Sequence, residues 1–301
     1  MKPPSFSYHD PRTVADVIAL LGRLENAKLL AGGQSLMPML NMRYVLPDHL
    51  IDLNRVNGLR YIRDTGGAHE NGAIEVGVIE IGAMTLQRDI EFSDVVRKRC
   101  PLMHEAIAQV GHRQTRNRGT LGGSLCHLDP AAELVSVAAA LDAKVSIAGK
   151  NGTRAVDFSV FPVAYMTPAL EPDEILTGVS FPCWRPGHGF AFVEFSRRHG
   201  DFAIVSAAAL IEEDKEGKLT RVSLTLGGMG PAPVRAYDVE RALIGEKPEE
   251  KRLRGICESL RALEAIDDIH APASYRQQLA TVLSRRALLK AHERVVATRL
   301  S

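Results

Sequence analysis

Two glycine pairs are the residues in this chain whose type and setting most suggest chemistry. Gly32 and Gly33 sit in "LLAGGQSLMPMLNMR" (29–43), and Gly122 and Gly123 in "GTLGGSLCHLDP" (119–130), flanked by Thr120 and Ser124. Glycine lacks a Cβ and adopts positive φ at little cost, so successive amides can line a concave nest that binds an anion while a bulky ligand approaches the backbone. The hydroxyls of Thr120 and Ser124 can donate to phosphate oxygens. Two such loops, about ninety residues apart, could hold one pyrophosphate between them. The plainer alternative is that each pair is a turn. Neither pair fits the G-x-G-x-x-G dinucleotide pattern or the G-x-x-x-x-G-K-[ST] phosphate loop, so the residues point to a phosphate-bearing cofactor without naming it.

Other residues give weaker signals. Arg113, Arg116 and Arg118 in "HRQTRNRG" read as a solvated loop or a surface for a partner subunit rather than a nucleic-acid patch, since no aromatics are interleaved and the net charge is only +1. His104, His112, His127 and His199 show no metal-ligand spacing. Met37, Met39 and Met42 read as adaptable packing beside the bend after the first glycine pair, and Cys126 as a small apolar packing residue. No catalytic triad or zinc site is legible.

The 301 residues must supply elements that hold these loops. That length accommodates two or three domains, each able to bury a core. Hydrophobic residues at 45% and charged residues at 24% match an ordinary globular protein and exclude a nucleic-acid role driven by charge. The longest apolar runs, such as "AAELVSVAAALDA", are too short to cross a bilayer, and "MKPPSFSYHDPRT" lacks the layout of a secretory signal, which predicts a cytoplasmic protein without a transmembrane segment. Four scattered cysteines, Cys100, Cys126, Cys183 and Cys257, form no C-x-x-C pair, so the chain is expected to carry no metal and no iron–sulfur cluster of its own.

"TVADVIALLGRL" places Val14, Val17, Ile18 and Leu21 on one helical stripe, with Thr13 able to cap it. "AKLLAGG" and "HLIDLNRV" read as strands ending at a glycine turn and a polar turn, and "AIEVGVIEIGAMT" as a half-covered strand. "CPLMHEAIAQVGH" and "PAAELVSVAAALDA" read as helices with proline in the first turn. The segment between them, "RQTRNRGTLGGSLCHLD", looks too glycine-rich and polar for a regular element. "DEILTGVSFP", "GFAFVEFSRR", "FAIVSAAALIEE" and "KLTRVSLTLGG" are four strands in close succession that suggest an antiparallel sheet, and the tail from about residue 234 is helical in composition. A domain boundary is placed near residue 175.

Four ordered segments, "AGGQSLMPMLNMR", "RNRGTLGGSLCHLDPAAEL", "RRHGDFAIVSAAA" and "GGMGPAPVRA", together resemble the FAD-binding medium subunit of the molybdenum hydroxylases, the group that includes aerobic carbon monoxide dehydrogenase and the xanthine dehydrogenase flavin domain. The resemblance covers essentially the whole chain. It implies an α+β fold: an FAD-binding part of the vanillyl-alcohol-oxidase (PCMH) type, in two α+β subdomains at 1–56 and 57–175, followed by a C-terminal α+β domain at 176–301. It implies that Ala31, Gly32, Gly33, Gln34, Ser35 and Leu36 wrap the FAD pyrophosphate and that Thr120, Gly122, Gly123 and Ser124 close on it from the other side. His127, Asp129 and Glu133 match positions that reach the ribityl, ribose or adenine part, Val110 and Leu176 match positions packed against the flavin ring, and Asp201 and Phe202 lie in a segment near the flavin. Some relatives have a lysine near the position of Glu194, which is where this chain departs from the pattern.

The resemblance further implies an oxidoreductase subunit that binds FAD non-covalently and passes electrons from iron–sulfur clusters to an external acceptor. The [2Fe–2S] clusters would lie on a small partner subunit and molybdopterin on a large one, in a dimer of heterotrimers. No acid–base catalytic residue is assigned. Two alternatives stay open: a stand-alone FAD-dependent oxidoreductase, and a non-catalytic nucleotide-binding module. Gly33→Val is expected to obstruct the diphosphate and abolish FAD binding while sparing the fold.

Overall fold

The computed structural model describes residues 1–66, 69–70, 73–74 and 77–300. The chain opens with β1 (Ser7–His9), α1 (Val14–Leu21), β2 (Ala27–Leu30), α2 (Leu36–Asn41) and β3 (His49–Asp52). Thr13 caps α1 as expected, in a reciprocal capping box with Asp16. Both β1 and β2 pair with the central β3 in parallel. Parallel neighbours cannot be joined by a hairpin, so α1 and α2 serve as the crossovers, and α2 must start immediately after the glycine pair.

The second sheet is antiparallel, in the order β4-β7-β12-β8-β9. Its strands are β4 (Ile62–Asp64), β7 (Val78–Gly82), β8 (Lys144–Gly149), β9 (Gly152–Asp157) and β12 (Ile175–Pro182); β5 (His69–Glu70) with β6 (Ala73–Ile74), and β10 (Pro162–Ala164) with β11 (Thr167–Pro168), form separate antiparallel pairs. The strand expected through "AIEVGVIEIGAMT" is divided between two sheets, Ala73–Ile74 as β6 paired with β5 and Val78–Gly82 as β7; positions 75 and 76 lie outside the described residues. Between β7 and β8 run α3 (Gln87–Glu91), α4 (Asp94–Arg99), α5 (Pro101–Ile107), α6 (Arg113–Arg116), α7 (Leu121–His127) and α8 (Glu133–Ala140). Pro101 occupies the first turn of α5, whereas α8 begins three residues after Pro130, at Glu133.

The third sheet, β13-β14-β15-β16, is antiparallel: β13 (Gly189–Phe195), β14 (Val205–Glu213), β15 (Leu219–Gly227) and β16 (Val234–Arg235). The tail forms α9 (Tyr237–Leu243), α10 (Glu250–Cys257) and α11 (Ala273–Leu300). Only three of the four strands expected in one sheet belong to it. The first, β12, pairs with β7 and β8 instead, so a boundary at 175/176 would detach a central strand of the second sheet. Alternation marks a strand but does not select its partner; that choice depends on which apolar faces meet in space. The change of sheet falls between Pro182 and Gly189.

β14 is buried on both faces, which explains its run of alanines. Val205, Ala207, Ala209 and Ile211 join the core that includes Leu283, Ala287 and Ala291 of α11; Ala208 and Leu210 join the core of α5, α7 and α8. Polar ties cross the same seam. Glu105 on α5 pairs with Lys290 and Arg294 of α11. Arg235 donates to the Ala139 carbonyl at 3.1 Å in the last turn of α8. The two halves are therefore packed as one body. Among the described residues, no helix is long and apolar enough to cross a membrane.

Candidate functional site

The first glycine pair forms a cradle of unpaired amides. As β2 ends, its carbonyls are taken up by the chain: Leu30 O accepts from Leu53 N at 2.9 Å, Ala31 O from Asn54 Nδ2 at 3.0 Å, Gly32 O from Gln34 Nε2 at 3.1 Å and Gly33 O from Met37 N at 3.0 Å. The amides of Gly32, Gly33, Gln34 and Ser35 find no acceptor among the described residues. Gly33 has φ +72°, which turns the chain so that this run of donors precedes α2. Ser35 makes no side-chain cap on α2, leaving its hydroxyl on the same edge. Such a run of N–H groups with their carbonyls turned away suits a diphosphate.

The second glycine pair behaves differently from expectation. Leu121–His127 is a helix, running through both glycines despite their low helical propensity. Thr120 caps it, accepting from Gly123 N at 3.0 Å through Oγ1, and Leu121 and Gly122 donate to Thr85 O and Ala83 O at 3.0 and 2.8 Å. These amides are consumed, so α7 adds no second nest. Its glycines are needed for close packing: a Cβ on Gly122 would lie 2.7 Å from Ala83 Cβ. Thr120 and Gly122 are buried and shape the wall, while Gly123 and Ser124 are half-buried at its surface.

The two segments meet. A Cβ on Gly32 would collide with the Arg118 carbonyl and come within 2.8 Å of Gly119 Cα, and one on Gly123 would stand 3.3 Å from Ala31 Cβ. The sequence reading missed Arg118–Gly119 as the backbone under Gly32, and Asn54 as the side chain holding Ala31. The polar "DLN" turn at the end of β3, next to the first loop, was the available signal for Asn54. At Gly33 the expected obstruction needs correcting. A side chain there would point at Met37 Cγ (3.1 Å) and Leu30 Cδ1 (3.3 Å), so the penalty comes from the left-handed backbone. Leu36, Met37 and Met39 are half-buried beside the turn, but Met42, expected to pack there, is half exposed.

α7 carries the wall onward by about 10 Å at 1.5 Å per residue. It ends at Leu128, in the left-handed region, and Asp129 then accepts from Ala131 N at 2.9 Å and leads into Glu133. Burial lowers the His127 pKa against the opposing pull of Asp129. Glu133 is only 6% exposed, and its carboxyl is pushed up to about 8, first by burial and then by the carboxylates of Glu194 and Asp129. Burial also raises Glu194, to about 7, and pushes the Cys126 thiol up to about 12, in keeping with a packing role for that cysteine.

The remaining expected residues stand farther out. Val110 is half-buried, and its carbonyl accepts from Arg116. Arg116 is 7% exposed and grips Glu91 with two hydrogen bonds, which removes it from the solvated arginine set; Arg113 and Arg118 are exposed. Leu176 lies inside the core at 4% exposure. Asp201 pairs with Arg198, and Phe202 is exposed. Gly200 brings that turn against His112, two residues beyond Val110. The structure thus joins Ala31–Leu36 with Gly123–Ser124 directly, and His127, Asp129 and Glu133 through α7. It places Asp201 and Phe202 beside the approach to α6.

These residues fit a dinucleotide carrying a diphosphate: a glycine turn seated against the Arg118–Gly119 backbone, four amides without acceptors among the described residues, and a polar wall extending from it. Comparisons with known proteins agree. A profile for the FAD binding domain in molybdopterin dehydrogenase matches residues 4–184, and one for the CO dehydrogenase flavoprotein C-terminal domain matches 190–291. The 6-hydroxypseudooxynicotine dehydrogenase complex subunit alpha of Paenarthrobacter nicotinovorans is 37% identical, over 100% of this chain and 99% of its own. The carbon monoxide dehydrogenase medium chain of Hydrogenophaga pseudoflava is 33% identical over 96% and 97%. A solved structure of carbon monoxide dehydrogenase from Hydrogenophaga pseudoflava superposes with a TM-score of 0.91 at 34% identity, covering 98% of this chain and 99% of that one.

Proposed function

Since the chain belongs to the FAD-binding medium subunits of the molybdenum hydroxylases, an oxidoreductase family, we propose that it is the electron-relay subunit of such a complex, placed between the iron–sulfur clusters of a small subunit and an external acceptor. The observation that carries this reading is the run of unpaired amides at Gly32–Ser35, seated on the Arg118–Gly119 backbone. In this reading those amides, with the hydroxyls of Ser35 and Ser124, hold the diphosphate, and Asn54 keeps the loop in place through the Ala31 carbonyl. His127, Asp129 and Glu133 line the path of one arm of the cofactor; Val110, Asp201 and Phe202 flank the other. Bound FAD accepts and releases electrons singly or in pairs, which suits a relay between one-electron clusters and a two-electron acceptor.

FAD is held without a covalent bond in this proposal. Substrate oxidation takes place at molybdopterin on a large subunit, and the assembly is a dimer of heterotrimers in the cytoplasm. Four free thiols suit a reducing compartment. The FAD-binding part comprises a first subdomain to about residue 56 and a second that extends through β12.

The test is anaerobic reduction of the FAD-loaded chain. Bleaching of the flavin by its reduced small subunit, and its recovery with an acceptor, is the expected result. Flavin that dithionite reduces but the small subunit does not would remove the relay role. Substrate turnover by the chain alone would replace it with a stand-alone enzyme.

A further inference from the structure

Two carboxyls, Glu133 and Glu194, face each other across the seam between the halves, and neither makes a salt bridge among the described residues. Glu194 on β13 lies directly opposite Ser206 on β14, so both side chains leave the same face of the sheet. That face packs on α8: a Cβ on Gly227 would strike both Ser206 Oγ and Ser136 Oγ, and Ser136 lies one turn after Glu133 on the same side of α8. Glu194 is therefore turned toward Glu133. Oε2 of Glu194 is buried with no hydrogen-bond partner among the described residues, and so are both serine hydroxyls.

Arg116 is the cation that opposes the upward shift of Glu133, and its hydrogen bonds are engaged elsewhere. Arg116 spends Nε and Nη2 on Glu91 and Nη1 on the Val110 and Gly111 carbonyls. Asp129, on the α7–α8 link, adds a further negative charge, and His127 beside it is disfavoured as a cation by burial. Farther back along β13, Glu105 is matched by Lys290 and Arg294. Two carboxyls so placed cannot both ionise cheaply.

From the cradle, α7 runs about 10 Å to the link that carries Asp129, whose charge acts on Glu133 at the start of α8. A dinucleotide whose diphosphate rests on the cradle directs one arm there. We propose that Glu133 and Glu194 act as a carboxyl pair of which one member stays protonated and donates a hydrogen bond to a ring or hydroxyl acceptor of FAD, so that FAD binding is linked to proton uptake. This rests on the FAD reading above and assigns Glu194 a binding role.

The linkage has a definite sign. Ionisation of the pair deletes the donor and sets a second negative charge beside the ligand, so affinity falls as pH rises through about 8, where Glu133 titrates in the free chain. His127 titrates below this window and Cys126 above it. The experiment is calorimetric titration of the full chain with FAD between pH 7 and pH 9, repeated at pH 8 in buffers of different ionisation enthalpy. We expect affinity to drop about tenfold from pH 7 to pH 9, with uptake of about half a proton per FAD at pH 8. In Glu133→Gln/Glu194→Gln, which keeps amide donors in place, the profile becomes flat. Affinity in the parent chain that is constant within about twofold, with no proton uptake, overturns the proposal without needing the variant, as does an unchanged slope in the variant. A folded chain that binds no FAD at any pH instead overturns the FAD reading on which this rests.

Discussion

Gly32→Val tests the cradle at its most constrained point. The new Cβ would collide with the Arg118 carbonyl and approach Gly119 Cα to 2.8 Å, contacts with backbone that no flexible side chain can relieve. Ordinary packing requires the first loop to withdraw from α7's leading segment by about 1 Å, which lengthens hydrogen bonds from its amides beyond their normal range. Loss of two amide contacts to a charged diphosphate, at about 1.5–3 kcal/mol each, gives about 3–6 kcal/mol, so an affinity loss of at least about 100-fold is the conservative expectation. The overpacking itself destabilises the free chain by about 1–3 kcal/mol. The assay is FAD titration by flavin fluorescence, with thermal unfolding of the FAD-free chain recorded in parallel so that misfolding is seen separately. A folded Gly32→Val chain that binds FAD within about threefold of the parent would refute the argument that the two segments hold the diphosphate site by mutual contact.

Further outcomes follow from the same geometry. Gly122→Ala, whose Cβ would meet Ala83 at 2.7 Å, should lower stability by about 1–3 kcal/mol, measured by urea unfolding. Arg294→Ala strips Glu105 and the Phe190 carbonyl of a donor and should cost about 2 kcal/mol in the same assay. Glu105 is held below the usual carboxylate range, burial being opposed and outweighed by Arg294 and Lys290, so its contribution is present above the unfolded-state pKa and fades as pH falls through the folded one; the deficit of the Arg294→Ala chain should shrink in acid. Glu133 has the opposite sign. Its folded-state pKa is raised to about 8, so the stability it permits is complete below its unfolded value and declines as pH rises toward 8; Glu133→Gln should raise the melting temperature of the FAD-free chain at pH 9 and change it little at pH 4.

Local rules carried the sequence reading a long way where a single segment holds all the information. Thr13 and Asp16 cap α1 because both partners of a capping box lie within four residues. The glycine turn after β2 is equally local. What could not be read depends on distant partners. β12 joins the second sheet because β7 and β8 offer it two edges, a fact absent from "DEILTGVSFP" itself. α7 is helical across two glycines because Ala83 and Thr85 accept the amides at its start and Thr120 caps it. For the same reason the two glycine pairs, alike on paper, differ in space: among the described residues one leaves its amides unpaired and the other uses them up. Arg116, exposed by its loop-like sequence, is buried by Glu91 from twenty-five residues away. The influence of Glu194 on Glu133 likewise needed the sheet register and the packing of α8 before it was visible.

The most direct test of the account is to saturate the purified chain with FAD, desalt it, record the visible spectrum, and identify by mass what heating releases. The account predicts a retained flavin band and intact FAD set free on denaturation, in close to one equivalent. A chain that is folded yet keeps no flavin, or a flavin that stays with the denatured polypeptide, would contradict it.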